Sequence, residues 1–357
     1  MKKIKVGIVG CGFIASTRHI PAFLKLKNTV NIAAVCDVNE SLANSTAKKY
    51  NIPNSYSNIK NMLKKEDLDI VDICVPPSIH AIVALEAIEK NCNILLEKPM
   101  ALTISDCDNI IKYANKYNVT LSVIHNEIFY PVIMKAEKLV KNGDIGDFIG
   151  MRWFRLTPKS EYLTTPNHWI HKLPGGIISE TGPHGVYTSL RFIGNIKDST
   201  IIAQKNTKYP WVLFDDYRIE LEGDKGISSI MISHATNQLR AYIELIGTEG
   251  LLNIDLYKMS LIHYKLKSLK NTSLALSYIS TINQTIKNLI KNTSYVIFNK
   301  LKYSHDIAIE NFVTSILEEK TPFVSPYEGR ETVRVINSLV KKLSIQYPQK
   351  KAERKIE

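Results

Sequence analysis

An apolar run over residues 6–9 leads directly into Gly10-Cys11-Gly12-Phe13-Ile14-Ala15, and a second apolar run over 94–96 ends in Glu97-Lys98-Pro99. Around these landmarks the first third of the chain alternates strand-like and helix-like pieces. Strands are predicted at 5–9, 30–36, 70–75, 94–96 and 120–124, and helices near 14–24, 40–50, 80–90 and 104–117. The strands are β-branched and apolar throughout, as they must be when both faces of a parallel sheet are covered by helices. This pattern predicts an α/β chain whose N-terminal residues, 1–125, form a doubly wound Rossmann domain.

After residue 125 the pattern changes. A helix over 132–141 is broken by Asn142-Gly143-Asp144, and period-two stretches follow at 151–156, 217–221, 227–233 and 239–245. Alternation of this kind suits antiparallel strands with one covered face. Residues 126–345 are therefore expected to form an α+β domain with an open, largely antiparallel sheet, used for substrate binding and oligomerisation. Residues 346–357 read as a polar tail.

The chain carries 46 Lys and Arg against 34 Asp and Glu, a formal charge of +12, yet the excess is local. Positions 258–302 hold eight lysines and no acidic residue. A nucleic-acid surface would interleave arginine and aromatic residues, so no nucleic-acid partner is expected. The segment reads as an amphipathic helix packed on its own domain or on another subunit, with contact to anionic lipid as the alternative.

Five cysteines, Cys11, Cys36, Cys74, Cys92 and Cys107, have no metal-ligand spacing and sit in or beside apolar runs, which reads as small reduced core residues. The charged start before Cys11 mimics a lipoprotein signal, but its apolar run is shorter than the roughly 7 to 15 residues such signals need. No stretch approaches the ~20 apolar residues of a membrane span. A cytoplasmic chain without integral membrane association is expected.

Gly10 and Gly12 allow a tight turn and close approach of a diphosphate, Phe13 and Ile14 continue the loop, and Ala15 lets the following helix pack on the strand. Asp37, at the end of the second strand, can accept hydrogen bonds from a ribose and repel a 2′-phosphate, which favours NAD, with NADP as the alternative. Pro76 and Pro77 end the third strand at the same sheet edge, and His80 follows as a further candidate for cofactor contact. Glu97, Lys98 and Asn126 complete the expected cofactor set.

These motifs resemble the Gfo/Idh/MocA family, the oxidoreductases similar to glucose-fructose oxidoreductase and inositol dehydrogenase. The likeness rests on the Gly10 loop, Pro76-Pro77-Ser78-Ile79-His80, Glu97-Lys98-Pro99, the Gly143 to Gly146 turn, and Gly175-Gly176 leading to Gly182-Pro183-His184. It implies hydride transfer between a nicotinamide and a secondary hydroxyl or keto group of a sugar, inositol or nucleotide sugar, and a cis bond before Pro99. Removing a hydride from carbon leaves an alkoxide that a fixed cation can stabilise, a task suited to Lys98. His184 is implied as the group that exchanges the hydroxyl proton, since an imidazole titrates near neutrality.

Pro183 is expected in the first turn of the His184 helix, and Glu180, four residues earlier, is the third candidate at the reacting carbon. Relatives commonly have aspartate at the position of Glu180 and again three residues after the histidine, where this chain has Tyr187. Tyr162, Trp169 and His171 are candidates to line a carbohydrate-like substrate, and no metal is expected. A homodimer or homotetramer is anticipated from the open sheet. Two alternatives stand beside this reading: a non-catalytic NAD(P)-binding sensor or assembly subunit, and a dehydrogenase of a non-carbohydrate substrate such as a dihydrodiol.

Overall fold

The structure, a computed structural model, describes residues 3–158, 161–266, 268–298 and 302–348. It divides into two compact units. The first comprises Met1–Asn126 and Lys302–Arg334, the second Glu127–Leu301 and Val335–Glu357. The chain leaves the first unit after Asn126 and returns to it at Lys302, so each unit is built from two stretches.

In the first unit six strands, β1 (Ile4–Val9), β2 (Val30–Cys36), β3 (Asn54–Tyr56), β4 (Ile70–Ile73), β5 (Asn93–Leu96) and β6 (Leu121–Val123), form one sheet in the order β3-β2-β1-β4-β5-β6. All its pairings are parallel. The connecting helices are α1 (Ile20–Lys25), entered through a π-type turn at Ala15–His19, α2 (Glu40–Tyr50), α3 (Ile59–Lys65), α4 (His80–Ile88) and α5 (Ile104–Tyr117). Strand β3 and helix α3 lie in a stretch the apolar pattern left unassigned, because three residues are too few to show a period.

The order reverses between β1 and β4, and in such sheets the crevice outside the carboxyl ends of the strands at that point is where ligands bind. Caps fix the helix starts: Asn39, Asn58 and Thr103 each accept a backbone N–H from the first turn that follows. The returning segment belongs to this core. Ser122 Oγ donates to Val324 O at 3.0 Å, and Val333 packs in the cluster that contains Ile94, Leu96, Met100 and Val123.

The second unit begins with α6 (Pro131–Lys141) and is built on a seven-stranded sheet. Its strands are β7 (Phe148–Pro158), β8 (Ile196–Gln204), β9 (Asp216–Gly223), β10 (Gly226–Thr236), β11 (Arg240–Gly247), β12 (Leu251–Asp255) and β13 (Ser260–Tyr264), in the order β13-β12-β11-β7-β10-β9-β8. Only β7 and β10 run parallel; the remaining pairings are antiparallel. Helix α7 (Glu161–Thr164) is short, and α8 (Ile177–Ile193) lies on the sheet face that buries Trp153, Ile219, Ile230 and Ile243. The opposite face carries Arg152, Phe154, Arg218, Glu220, Tyr242 and Glu244. Helix α9 (Asn271–Ile297) borders β13, and α10 (Ser304–Leu317) and α11 (Pro326–Gln346) follow.

The lysine-rich segment is helical as expected over 271–297, but none of its described side chains is fully buried. Of the expected tail, residues 349–357 lie outside the described residues. No helix among the described residues is long and apolar enough to cross a membrane.

Candidate active site

The Gly10 loop leaves β1 at the reversal point. Gly10 has φ +94, and a Cβ there would stand 2.5 Å from Cys74 O, so both its backbone shape and its closeness to the end of β4 demand glycine. At Gly12 an added Cβ would meet nothing within 4 Å. Nothing inside the protein requires glycine at position 12, whereas a phosphate approaching the backbone from outside does. The loop opens directly into a helical start, whose first N–H groups have no intrahelical partner, so these residues fit a dinucleotide diphosphate. Phe13 is strongly exposed and Ile14 half-buried.

Asp37 stands at the end of β2, as expected, and it also shapes the loop. Its Oδ2 accepts the Cys11 N–H at 2.8 Å and its Oδ1 accepts the Asn39 N–H at 2.9 Å. The carboxylate is thereby fixed at the sheet edge with known orientation.

Lys98 directly follows β5 on this edge and is half-buried. The Lys98-Pro99 bond is cis. Two buried histidines brace the bend. His80 has Nδ1 2.9 Å from Pro99 O and Nε2 2.8 Å from Val75 O, and burial holds its pKa below the ordinary value. Both ring nitrogens thus face backbone carbonyls, and the neutral ring donates its single N–H to one of them, so His80 holds the Pro99 bend from within. Pro77 is buried beneath it and Pro76 exposed.

Glu97 is likewise turned inward. Its Oε2 accepts the Lys98 N–H at 3.0 Å, and its Oε1 lies 2.9 Å from His19 Nε2. The other ring nitrogen of His19 meets both oxygens of Asp72, at 2.9 and 3.0 Å. Glu97 is therefore part of a buried charge chain under Lys98. Burial opposes charge on His19, but the Asp72 carboxylate outweighs it and the pKa is raised well above the ordinary value. Burial likewise opposes ionisation of Glu97, and the His19 hydrogen bond overcomes it, bringing that pKa down to about 2.

Cys74, 3.3 Å from His19 Nδ1, is held protonated by burial, and His305 approaches Glu97 Oε1 at 3.8 Å. His19 with Asp72 and Cys74, and His19 with Glu97 and His305, are close enough to hold a metal ion. A protonated imidazole with a carboxylate on each nitrogen already fills those positions with protons, so the cluster is ion-paired.

Asn126 ends the first stretch of this unit, half-buried, with Nδ2 donating to Ser304 Oγ at 3.3 Å.

In the second unit α8 begins at Ile177, after Gly175 and Gly176 turn the chain with φ of +76 and +69. Pro183 consequently stands inside the helix and not in its first turn, as expected from sequence; the glycine pair starts the helix six residues earlier. His184 follows. Its Nδ1 lies 2.7 Å from Tyr187 Oη and 3.4 Å from Glu127 Oε1.

The Glu127 backbone N–H donates to Tyr187 Oη at 3.1 Å, and the imidazole tautomer sets whether the phenol proton or the ring N–H lies in the Tyr187–His184 bond. Burial raises the Tyr187 pKa well above its ordinary value, so the phenol keeps that proton. Glu127 is paired with Arg155 and accepts from Trp153 Nε1 at 3.3 Å. Tyr187 with Glu127 thus orients the histidine where relatives were expected to use an aspartate. Glu127 itself was missed from sequence, although an acidic residue directly after the last parallel strand and before an apolar pair offered the signal.

Glu180 is half-buried one turn before His184. Trp169 is 39% exposed and His171 buried on the turn Trp169–Lys172. The Tyr162 side chain lies outside the described residues.

A parallel sheet in this strand order, with a glycine loop at its reversal point, is the arrangement of a dinucleotide-binding domain. Residues 4–125 match the family model described as the oxidoreductase family with NAD-binding Rossmann fold, Gfo/Idh/MocA. Over those residues the chain is similar to the NAD-binding Rossmann domain of that family.

The chain is 28% identical over 202 residues to oxidoreductase P35 of Formosa agariphila, covering 55% of this chain and 62% of that protein, so it spans less than two thirds of that relative. It is 25% identical over 263 residues to the D-apiose dehydrogenase of Paraburkholderia graminis, covering 71% and 68%. The WlbA dehydrogenase from Bordetella pertussis, solved with NADH and UDP-GlcNAcA, shares the fold at TM-score 0.80 and 18% identity, over 96% of this chain and 95% of that one.

Proposed function

We propose that the protein transfers a hydride between NAD and a secondary hydroxyl or keto carbon of a sugar, inositol or nucleotide sugar. Lys98 and His184 are the residues we assign to the proton and charge at that carbon's oxygen. The observation that carries this reading is Lys98 at the end of β5, on the sheet edge of the Gly10 loop, with its backbone fixed by Glu97. Bound NAD supplies the hydride acceptor or donor. Gly10, Gly12, Phe13 and Ile14 cradle its diphosphate, and Asp37 receives its ribose hydroxyls.

In this reading the Lys98 ammonium lies beside the substrate oxygen and stabilises negative charge as the proton leaves. His184, oriented through Tyr187, takes or returns that proton. Glu180 accepts a substrate hydroxyl hydrogen bond, and Trp169 offers an aromatic face to the sugar. The likeness to D-apiose dehydrogenase, and to a neighbour solved with a nucleotide sugar, supports a carbohydrate-like substrate. The five cysteines are unpaired and buried, which supports a reducing compartment such as the cytoplasm. The sheet face bearing Phe154 and Tyr242 supports assembly as a homodimer or homotetramer.

The test is absorbance of the reduced nicotinamide with NAD and a panel of sugars, inositols and nucleotide sugars. Lys98→Met should lower kcat by about 10²- to 10⁴-fold with NADH affinity nearly unchanged. Unchanged turnover would remove Lys98 from the mechanism. NAD binding with no turnover of any such substrate would favour the sensor.

A further inference from the structure

Helix α9 turns the wrong face inward. Its half-buried side carries Ser277, Thr281, Gln284, Asn288 and Asn292, at nearly regular four-residue spacing. Three of these amides serve the free edge of the second sheet. Gln284 Oε1 accepts the His263 N–H at 2.8 Å and its Nε2 donates to His263 O at 3.0 Å. Asn288 Nδ2 donates to Leu261 O at 3.0 Å, and Asn292 Nδ2 to Lys258 O at 2.7 Å and Met259 O at 3.0 Å. Side-chain amides therefore cap an edge strand that would otherwise offer its backbone to another chain.

The opposite side carries Leu276, Ile279, Ile282, Ile286, Leu289 and Ile290, each between 47% and 67% exposed. At 1.5 Å per residue the helix is about 40 Å long. A stripe of branched side chains of that length in water gives the helix none of the burial that normally stabilises one. Because the inward side is tied to β13, the stripe faces away from the body of its unit.

Charge selects what covers it. Positions 258–302 contain eight lysines and no Asp or Glu, and Lys287 and Lys291 border the stripe on the wheel. A second copy meeting this face by two-fold symmetry would bring the same acid-free segment against itself and repel. An anionic bilayer surface satisfies both features, taking the aliphatic stripe among its acyl chains and the ammonium groups among its phosphates. We propose that α9 lies in the plane of an anionic phospholipid membrane and docks the protein there peripherally.

The experiment is cosedimentation of the full-length protein with vesicles of phosphatidylcholine alone, or of phosphatidylcholine and phosphatidylglycerol in equal parts. Recovery with the mixed vesicles only, weakened by salt, is expected. Ile282→Asp with Ile286→Asp should abolish it while leaving NADH binding unchanged. Lys287→Glu with Lys291→Glu should weaken it about fivefold or more per lysine. Wild-type protein remaining in the supernatant with mixed vesicles overturns the proposal, and so does unchanged recovery of the folded isoleucine variant. Light scattering that shows that variant dissociating an oligomer which ignores vesicles assigns the stripe to a second copy instead, also overturning it.

Discussion

The two units invert the usual placement of side chains in opposite senses. Beneath Lys98 the first unit buries Asp72, His19 and Glu97, three ionisable groups in a row. Along α9 the second unit exposes a run of isoleucines and leucines. The buried charges are answered within their own unit, nitrogen against carboxylate at 2.9 Å on both sides of the His19 ring. Among the described residues of its own unit the stripe stays exposed. Buried charge that is fully paired is internal architecture, whereas apolar surface without cover points to something outside.

The sharpest way to break this comparison is His19→Ala. It leaves two carboxylates buried without their common partner, and a loss of about 3–5 kcal/mol is expected. Chemical denaturation followed by tryptophan-independent circular dichroism reads it; a loss below ~1 kcal/mol, the range of exposed ion pairs, would show that the chain carries little energy.

Acid offers the next largest effect. Burial brings the pKa of His125 down to about 3 and that of His305 to about 4, from 6.5, so below 6.5 the unfolded chain binds protons that the folded one refuses. Stability must fall as pH drops from 6.5, by up to about 1.4 kcal/mol per pH unit for each histidine. His19 adds no loss in that window, because its raised pKa gives stability that is complete below 6.5 and disappears only as pH rises through the folded value. Glu97 loses its contribution only as pH falls from 4.5 through about 2. Flat stability from pH 6.5 to 5 would contradict the buried neutral state of both rings.

Tyr187→Phe removes the phenol from His184 and strands the Glu127 N–H, an expected cost of roughly 1–3 kcal/mol. It should also move the pH profile of kcat, which a purely structural residue would not do. The smallest effect belongs to the exposed stripe: Ile282→Asp alone should change stability by no more than about 0.5 kcal/mol. A larger loss in the same denaturation measurement would mean that the stripe is covered within the chain.

What was legible in the sequence was local. The Gly10 loop, Lys98 and His184 sit in short motifs whose chemistry is carried by immediate neighbours. The parallel first sheet and the mostly antiparallel second were readable from periodicity. His19, Asp72, Cys74, Glu97 and His305 were not, because they meet only when the sheet closes. One trace was present: Asp72 interrupts the strand Ile70-Val71-Asp72-Ile73, and a carboxylate inside a fully covered parallel strand must have a buried partner. The inward partners of His80 and Glu97 were not legible either, since spacing fixes where a side chain starts and not what it meets. Periodicity identified α9 as amphipathic, but the amides along β13 decided which side faces in.

The return of Lys302–Arg334 to the first unit has a consequence for biosynthesis. Val333 closes the cluster around Met100 and Val123, and it emerges from the ribosome some two hundred residues after them. At translation speeds of about 5–20 residues per second the nascent sheet waits on the order of ten seconds or longer for that last piece. The dinucleotide half is started first and sealed among the last, which makes chaperone capture during synthesis a property of the chain's threading.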